Sequence, residues 1–105
     1  MKQQDSTATS LPRIVGALRG NEAELRAAGI KRLSIVGSVA RAESTLDSDI
    51  DISVEIDPHA HLGLRFFGLE ERLSSLLGRT VQLLPEPVEN PQIRASIERD
   101  RVVVF

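Results

Sequence analysis

The chain has 105 residues, 41% hydrophobic and 27% charged, with a formal net charge of −2 at pH 7. That length suits one hydrophobic core, the balanced composition excludes disordered and collagen-like chains, and no apolar run approaches the roughly 18 residues of a membrane span. Residues 11–41 carry six bases against two acids, and residues 42–58 carry six acids and no base. With three Phe and neither Tyr nor Trp, this is not the basic, aromatic-studded pattern of a general nucleic-acid binder.

Residues 1–10 are small and polar, lack a signal-peptide apolar stretch, and read as a flexible tail ahead of a single domain over residues 11–105. Leu11, Ile14, Val15 and Leu18 recur at helical spacing, with Ser10 as N-cap, Pro12 in the first turn and Gly20 as the interruption. Asn21 and Glu24 form a capping-box pattern for a second short helix, closed by Gly29. Ile30–Val36 reads as a strand stopped by Gly37. Ser38–Ala42 can turn into a short helix, and 43–48 is loop-like. From Asp49 to Ile56 the alternation is strict: Asp49, Asp51, Ser53 and Glu55 share one face, and Ile50, Ile52, Val54 and Ile56 the other.

After Pro58, Leu62, Phe66, Leu69, Leu73, Leu76 and Leu77 mark a helix stopped by Gly78. Thr80–Leu84 reads as a strand closed by Pro85 and Pro87. Asn90 and Pro91 open a last helix through Ile93 and Ile97, and Arg101–Phe105 is β-prone. His59 and His61 read as surface-loop residues rather than metal ligands. Phe66 and Phe67 are adjacent, so they cannot both face the core from one helix. The expected class is α/β (α+β): a small mixed sheet with helices mainly on one face.

Asp49 and Asp51 project from one strand face about 6.6 Å apart along the axis. Carboxylates at that spacing can converge on one Mg²⁺, or on two ions roughly 3.5–4 Å apart; Mg²⁺ is a hard ion that commonly takes one or two protein carboxylates plus substrate phosphate oxygens. Gly37–Ser38 ends the preceding strand where a missing side chain lets backbone approach a phosphate, with the Ser38 hydroxyl alongside. Together these put a phosphate cradle and a metal site at neighbouring strand ends.

The segments Gly37-Ser38-Val39-Ala40-Arg41-Ala42-Glu43 and Asp47-Ser48-Asp49-Ile50-Asp51 resemble the polymerase-beta-like nucleotidyltransferase signature. The resemblance is nearest to its minimal nucleotidyltransferase (MNT) branch, runs from about Leu11 to Phe105, and includes Gly78–Leu83 and Ile97-Glu98-Arg99. It implies that fold, binding of ATP and of Mg²⁺ or Mn²⁺, and a cytoplasmic antitoxin that transfers AMP onto a HEPN-domain toxin. Carried over, Gly37 and Ser38 would contact the triphosphate, and Asp49 and Asp51 would hold metal and serve catalysis. Arg41 reads as a brace of the loop through an acidic partner, Ser48 as a cap of the turn before Asp49, and Glu43 as a solvated loop acid. The absence of cysteine permits a reducing cytoplasm.

One departure bears on activity. The family places a third carboxylate on the following strand, and this chain has Gln82 there. Glutamine keeps an oxygen donor but loses charge and basicity. One unit-charge contact at 4 Å and an effective dielectric near 20 is worth about 4 kcal/mol, roughly a thousandfold in rate. Glu55 shares the Asp49/Asp51 face but sits about 13 Å beyond Asp51; Asp47 and Glu86, expected in flexible segments, stay open as substitutes. The leading reading is a metal-dependent nucleotidyltransferase antitoxin. The alternative is an antitoxin that neutralises its toxin by binding, with catalysis weakened at Gln82.

Overall fold

The computed structural model of the protein describes residues 10–45, 48–59 and 63–105, the stretch 63–67 by its backbone only. The expected tail (apart from Ser10), Asp47, His61 and the side chains of Phe66 and Phe67 lie outside the described residues. Helices α1 (Leu11–Arg19) and α2 (Glu22–Ala27) lead into strand β1 (Ile30–Val36), the one-turn helix α3 (Gly37–Ala40) and strand β2 (Ile50–Ile56). Helix α4 (Gly63–Leu77), strand β3 (Val81–Glu86), helix α5 (Pro91–Asp100) and the short strand β4 (Val102–Val103) complete the chain.

The strands form one mixed sheet in the order β3-β2-β1-β4. β2 runs antiparallel to β1 and parallel to β3, while β4 runs antiparallel to β1. The alternation in β2 decides which face meets the core: Ile50, Ile52 and Val54 are fully buried with Ile14, Leu18, Leu33, Ile35, Leu69 and Leu73, under α1 and α4. A one-residue slip would put Asp51 into that hydrophobic layer, so the register is strongly specified.

Local signals end most elements as expected, with instructive exceptions. Asn90 Oδ1 accepts the Gln92 and Ile93 amides at 2.9 and 3.1 Å, and Gly78 follows α4 at φ +70°. The capping box at α2 does not form: Asn21 Nδ2 donates back to the Ala17 carbonyl at 2.8 Å, and Glu24 instead pairs with Arg72 of α4. A long-range ion pair has outcompeted the local cap. β3 does not stop before Pro85 but runs through it to Glu86, which an edge strand tolerates because its outward side needs no N–H. Glu86 is therefore a strand residue, not the flexible acid expected.

Candidate active site

At the end of β1 the backbone turns sharply at Gly37, φ +74°, into α3. A Cβ on Gly37 would lie 2.6 Å from Asp51 Oδ2, so the absent side chain is what lets the carboxylate lie against this turn. α3 closes with a Schellman pattern: the Glu43 amide donates to the Ser38 carbonyl at 2.8 Å and the Ala42 amide to Val39 at 3.0 Å. Ala42 holds the left-handed position at φ 60°, where glycine is usual. The first amides of such a turn lack partners within the helix, so the Gly37–Ser38 end presents donors beside Asp51.

Asp51 pairs with Val36 of β1 on one side and with Gln82 of β3 on the other. Gln82 is thus one strand over from Asp51, in register with it. Asp49 lies just before β2 and is exposed. Burial pushes the Asp51 carboxyl above its ordinary value, the Asp49 charge pushes it further, and Arg41 pulls it back. A cation between these carboxylates would relieve both penalties. Among the described residues no group of three or more His, Cys, Asp or Glu forms a metal cluster. Two hard-oxygen donors with open space beside a glycine fit an ion that draws its remaining ligands from substrate and water, the habit of Mg²⁺.

Arg41 is exposed but ion-paired. Its Nε donates to Glu43 Oε1 at 2.9 Å and its Nη1 to Asp100 Oδ2 at 2.7 Å, bonds that raise its already high pKa, Glu43 contributing most. Glu43 is accordingly an ion-pair partner as well as an exposed loop acid. Asp100, its side chain 5% exposed, ends α5, where a carboxylate opposes the helix dipole. Hydrogen bonds from Arg99 and then Arg41 keep it ionised against burial. Ser48 accepts from the Thr45 amide at 2.9 Å and shares a hydroxyl contact with Thr45 at 3.1 Å, which closes the turn before Asp49.

Sequence reasoning gave no role to Arg79 or Asp100. Buried Arg79 donates through Nη2 to the carbonyls of Thr45 (3.0 Å) and Ser48 (2.5 Å), so it pins the backbone just ahead of Asp49. An arginine immediately after a helix-ending glycine was the available signal. Of the two acids held open as substitutes for Gln82, Glu86 fares poorly, and Glu55, already set aside by distance, is engaged elsewhere. Glu55 binds Arg32 at 3.0 Å. Glu86, opposite Glu55 in the β2–β3 register, sits about 13 Å along the strand from Gln82 and is clamped by Arg101 at 2.8 Å. Asp47 lies outside the described residues.

A cleft of about 380 Å³ opens between the Gly37–Asp51 corner and α5, and reaches Arg41, Leu84, Gln92, Ile93, Ser96 and Asp100. A larger one of about 640 Å³, between α2 and α4, includes Asn21, Arg72 and Leu76 but neither the glycine turn nor an aspartate. Volume alone would favour the second; the chemistry is at the first.

Residues 18–104 match the nucleotidyltransferase domain family. A protein adenylyltransferase of Thermococcus cleftensis, MntA, is 34% identical over 96 residues, covering 90% of this chain and 96% of its own length. A solved structure described as a candidate minimal nucleotidyltransferase superposes with a TM-score of 0.66 at 33% identity, over 82% of this chain and 88% of that one. The crystal structure of a toxin–antitoxin with AMP-PNP shares the fold at TM-score 0.64 and 20% identity, over 88% of this chain and 69% of the other. With its mixed sheet, its glycine turn against Asp51 and this family match over most of its length, the chain belongs to the nucleotidyltransferase domain family, as a minimal nucleotidyltransferase.

Proposed function

We propose that this chain is a cytoplasmic, metal-dependent protein adenylyltransferase that acts as an antitoxin, transferring AMP from ATP to a hydroxyl of a HEPN-type toxin. The observation that carries the reading is Asp51 held against Gly37, which joins a carboxylate to the sharp turn that ends β1. The Gly37–Ser38 backbone and the Ser38 hydroxyl bind phosphoryl oxygens, and Asp49 and Asp51 hold Mg²⁺ or Mn²⁺. When bound, the ion neutralises phosphoryl charge and aligns the α-phosphate. Arg79 and Ser48 keep Asp49 in place, and Arg41 with Asp100 holds the far end of the turn.

In the reaction the toxin hydroxyl oxygen bonds to the α-phosphorus, the bond from that phosphorus to the α–β bridging oxygen breaks, and pyrophosphate leaves. The hydroxyl proton passes to water, because Gln82 has no basicity to receive it. In-line positioning supplies much of the rate under this scheme.

Gln82, in register with Asp51, favours a second reading in which the toxin is silenced by binding alone. Incubation with the product of the adjacent gene, ATP and Mg²⁺, followed by intact-protein mass measurement, separates them. Transfer predicts one AMP on the partner, lost in Asp49→Ala and made faster in Gln82→Asp. An unmodified but inhibited partner, unchanged by Asp49→Ala, would overturn the proposal in favour of binding.

A further inference from the structure

Asp49 and Asp51 can serve one divalent ion or a pair of them, and what stands beside Asp51 decides which. Gln82 is the partner of Asp51 in the parallel β2–β3 register, so the two side chains leave the same face of the sheet, on strands about 4.8 Å apart. Ile50 and Val81, one residue back on each strand, are both buried on the opposite face. Helix α4 fixes β3 here from its outer side. The Val81 amide donates to Ser74 Oγ at 2.9 Å and the Leu83 amide to Glu70 Oε2 at 2.8 Å. These bonds bracket Gln82, and moving it away from Asp51 would break one of them.

A carboxamide fixed in that place differs from a carboxylate in two ways. It brings no negative charge, and its NH₂ edge is a pair of donors that suits an anionic neighbour better than a cation. Two carboxylates, Asp49 and Asp51, match the charge of one divalent ion. A pair of ions roughly 3.5–4 Å apart repels itself and calls for further anionic ligands. The other described acids around the site are engaged: Glu55 by Arg32 and Glu86 by Arg101, Glu43 and Asp100 by Arg41. A single Mg²⁺ needs none of them, since phosphate oxygens and water complete its shell.

Resting on the adenylyltransferase reading, we infer that this site holds a single divalent ion, the one that enters with the nucleotide, and that Gln82 is the residue that sets the number at one. Manganese counts the ions without recourse to activity. Mn²⁺ is titrated into the full chain loaded with one equivalent of a non-hydrolysable ATP analogue, and the free ion is read from its paramagnetic resonance signal. The wild type should take up one Mn²⁺ per chain, with no second uptake as Mn²⁺ is raised and no Mn–Mn coupling in the spectrum. Gln82→Asp should take up two, coupled to each other. Gln82→Glu repeats the measurement if a melting curve shows that the shorter acid fails to fold. Two ions on the wild type, or one on a folded acidic variant, would overturn the inference and leave nucleotide transfer standing; loss of such a second wild-type ion in Asp47→Asn would name its ligand. A wild type that binds neither the analogue nor Mn²⁺ would instead defeat the adenylyltransferase reading itself.

Discussion

Gly37 is where backbone conformation and chemistry meet. Its φ of +74° would cost an L-residue about 1–2 kcal/mol, and an added Cβ would sit 2.6 Å from Asp51 Oδ2. That oxygen ends a side chain that can swing aside, so the fold survives and the carboxylate moves. Gly37→Ala should therefore lower the melting temperature by several degrees, at about 4–8 °C per kcal/mol for a domain near this size. It should also weaken Mg²⁺-supported ATP binding about tenfold or more by calorimetry. Unchanged affinity would show that Asp51 need not rest against the turn. Ala42 holds the same left-handed region at φ 60° and is exposed, so it bears backbone strain with no carboxylate in its way.

The elements are joined on the polar face of the sheet by Arg101, which links α5 to β4. Its Nη1 donates to Ser34 of β1 at 2.9 Å and to Glu86 of β3 at 3.0 Å, and its Nη2 to Glu86 and Glu98 at 2.8 Å each. Ser53 of β2 donates to the same Glu86 carboxylate. The Arg101 hydrogen bond, more than the one from Ser53, holds Glu86 below its ordinary value of 4.5 against burial. A depressed carboxylate pKa stabilises fully above its unfolded value, and that contribution fades as pH falls through the folded value. Arg101→Met removes the partner and leaves Glu86 charged and largely enclosed, at a cost of about 3–5 kcal/mol at pH 7. Urea denaturation at pH 7 and about pH 4 should show the variant's deficit shrinking in acid, as Glu86 takes up a proton. A deficit independent of pH would mean that lost packing, not the stranded charge, causes it.

At the scale of the whole molecule, the site is bought with stability. Burial and the Asp49 charge raise the Asp51 pKa; the folded state then favours the proton more than the unfolded state does, so stability falls as pH rises through that window. The penalty is fully present once the pH is above the folded value. Asp51→Asn should raise the melting temperature of the metal-free protein by a few degrees. Mg²⁺ and ATP at a hundredfold excess over Kd should stabilise the wild type by about 2.7 kcal/mol, and the variant should lose that increment. Thermal melts with and without Mg²⁺–ATP check both halves, and an Asp51→Asn protein that melts lower than wild type would contradict the first.

Strand and helix identities were legible because period and punctuation agree locally: Ile50–Ile56 alternates without exception, and Asn90-Pro91 and Gly78 carry their own backbone reasons. That Asp51 points away from the core face of β2 could be read for the same cause, since a period of two fixes which side chains share a face. Partner choice could not. Glu24 met Arg72 across 48 positions of chain in place of its local cap, Arg41 met Asp100 across 59, and Glu86 proved to be a strand residue gripped by Arg101. Sequence spacing determined the element types, the core face of β2 and the carboxylate–glycine constellation. Only the folded chain decided which charges neutralise one another, that Gln82 stands in register with Asp51, and that α5 walls a cleft beside it, because those contacts depend on how the elements pack in space.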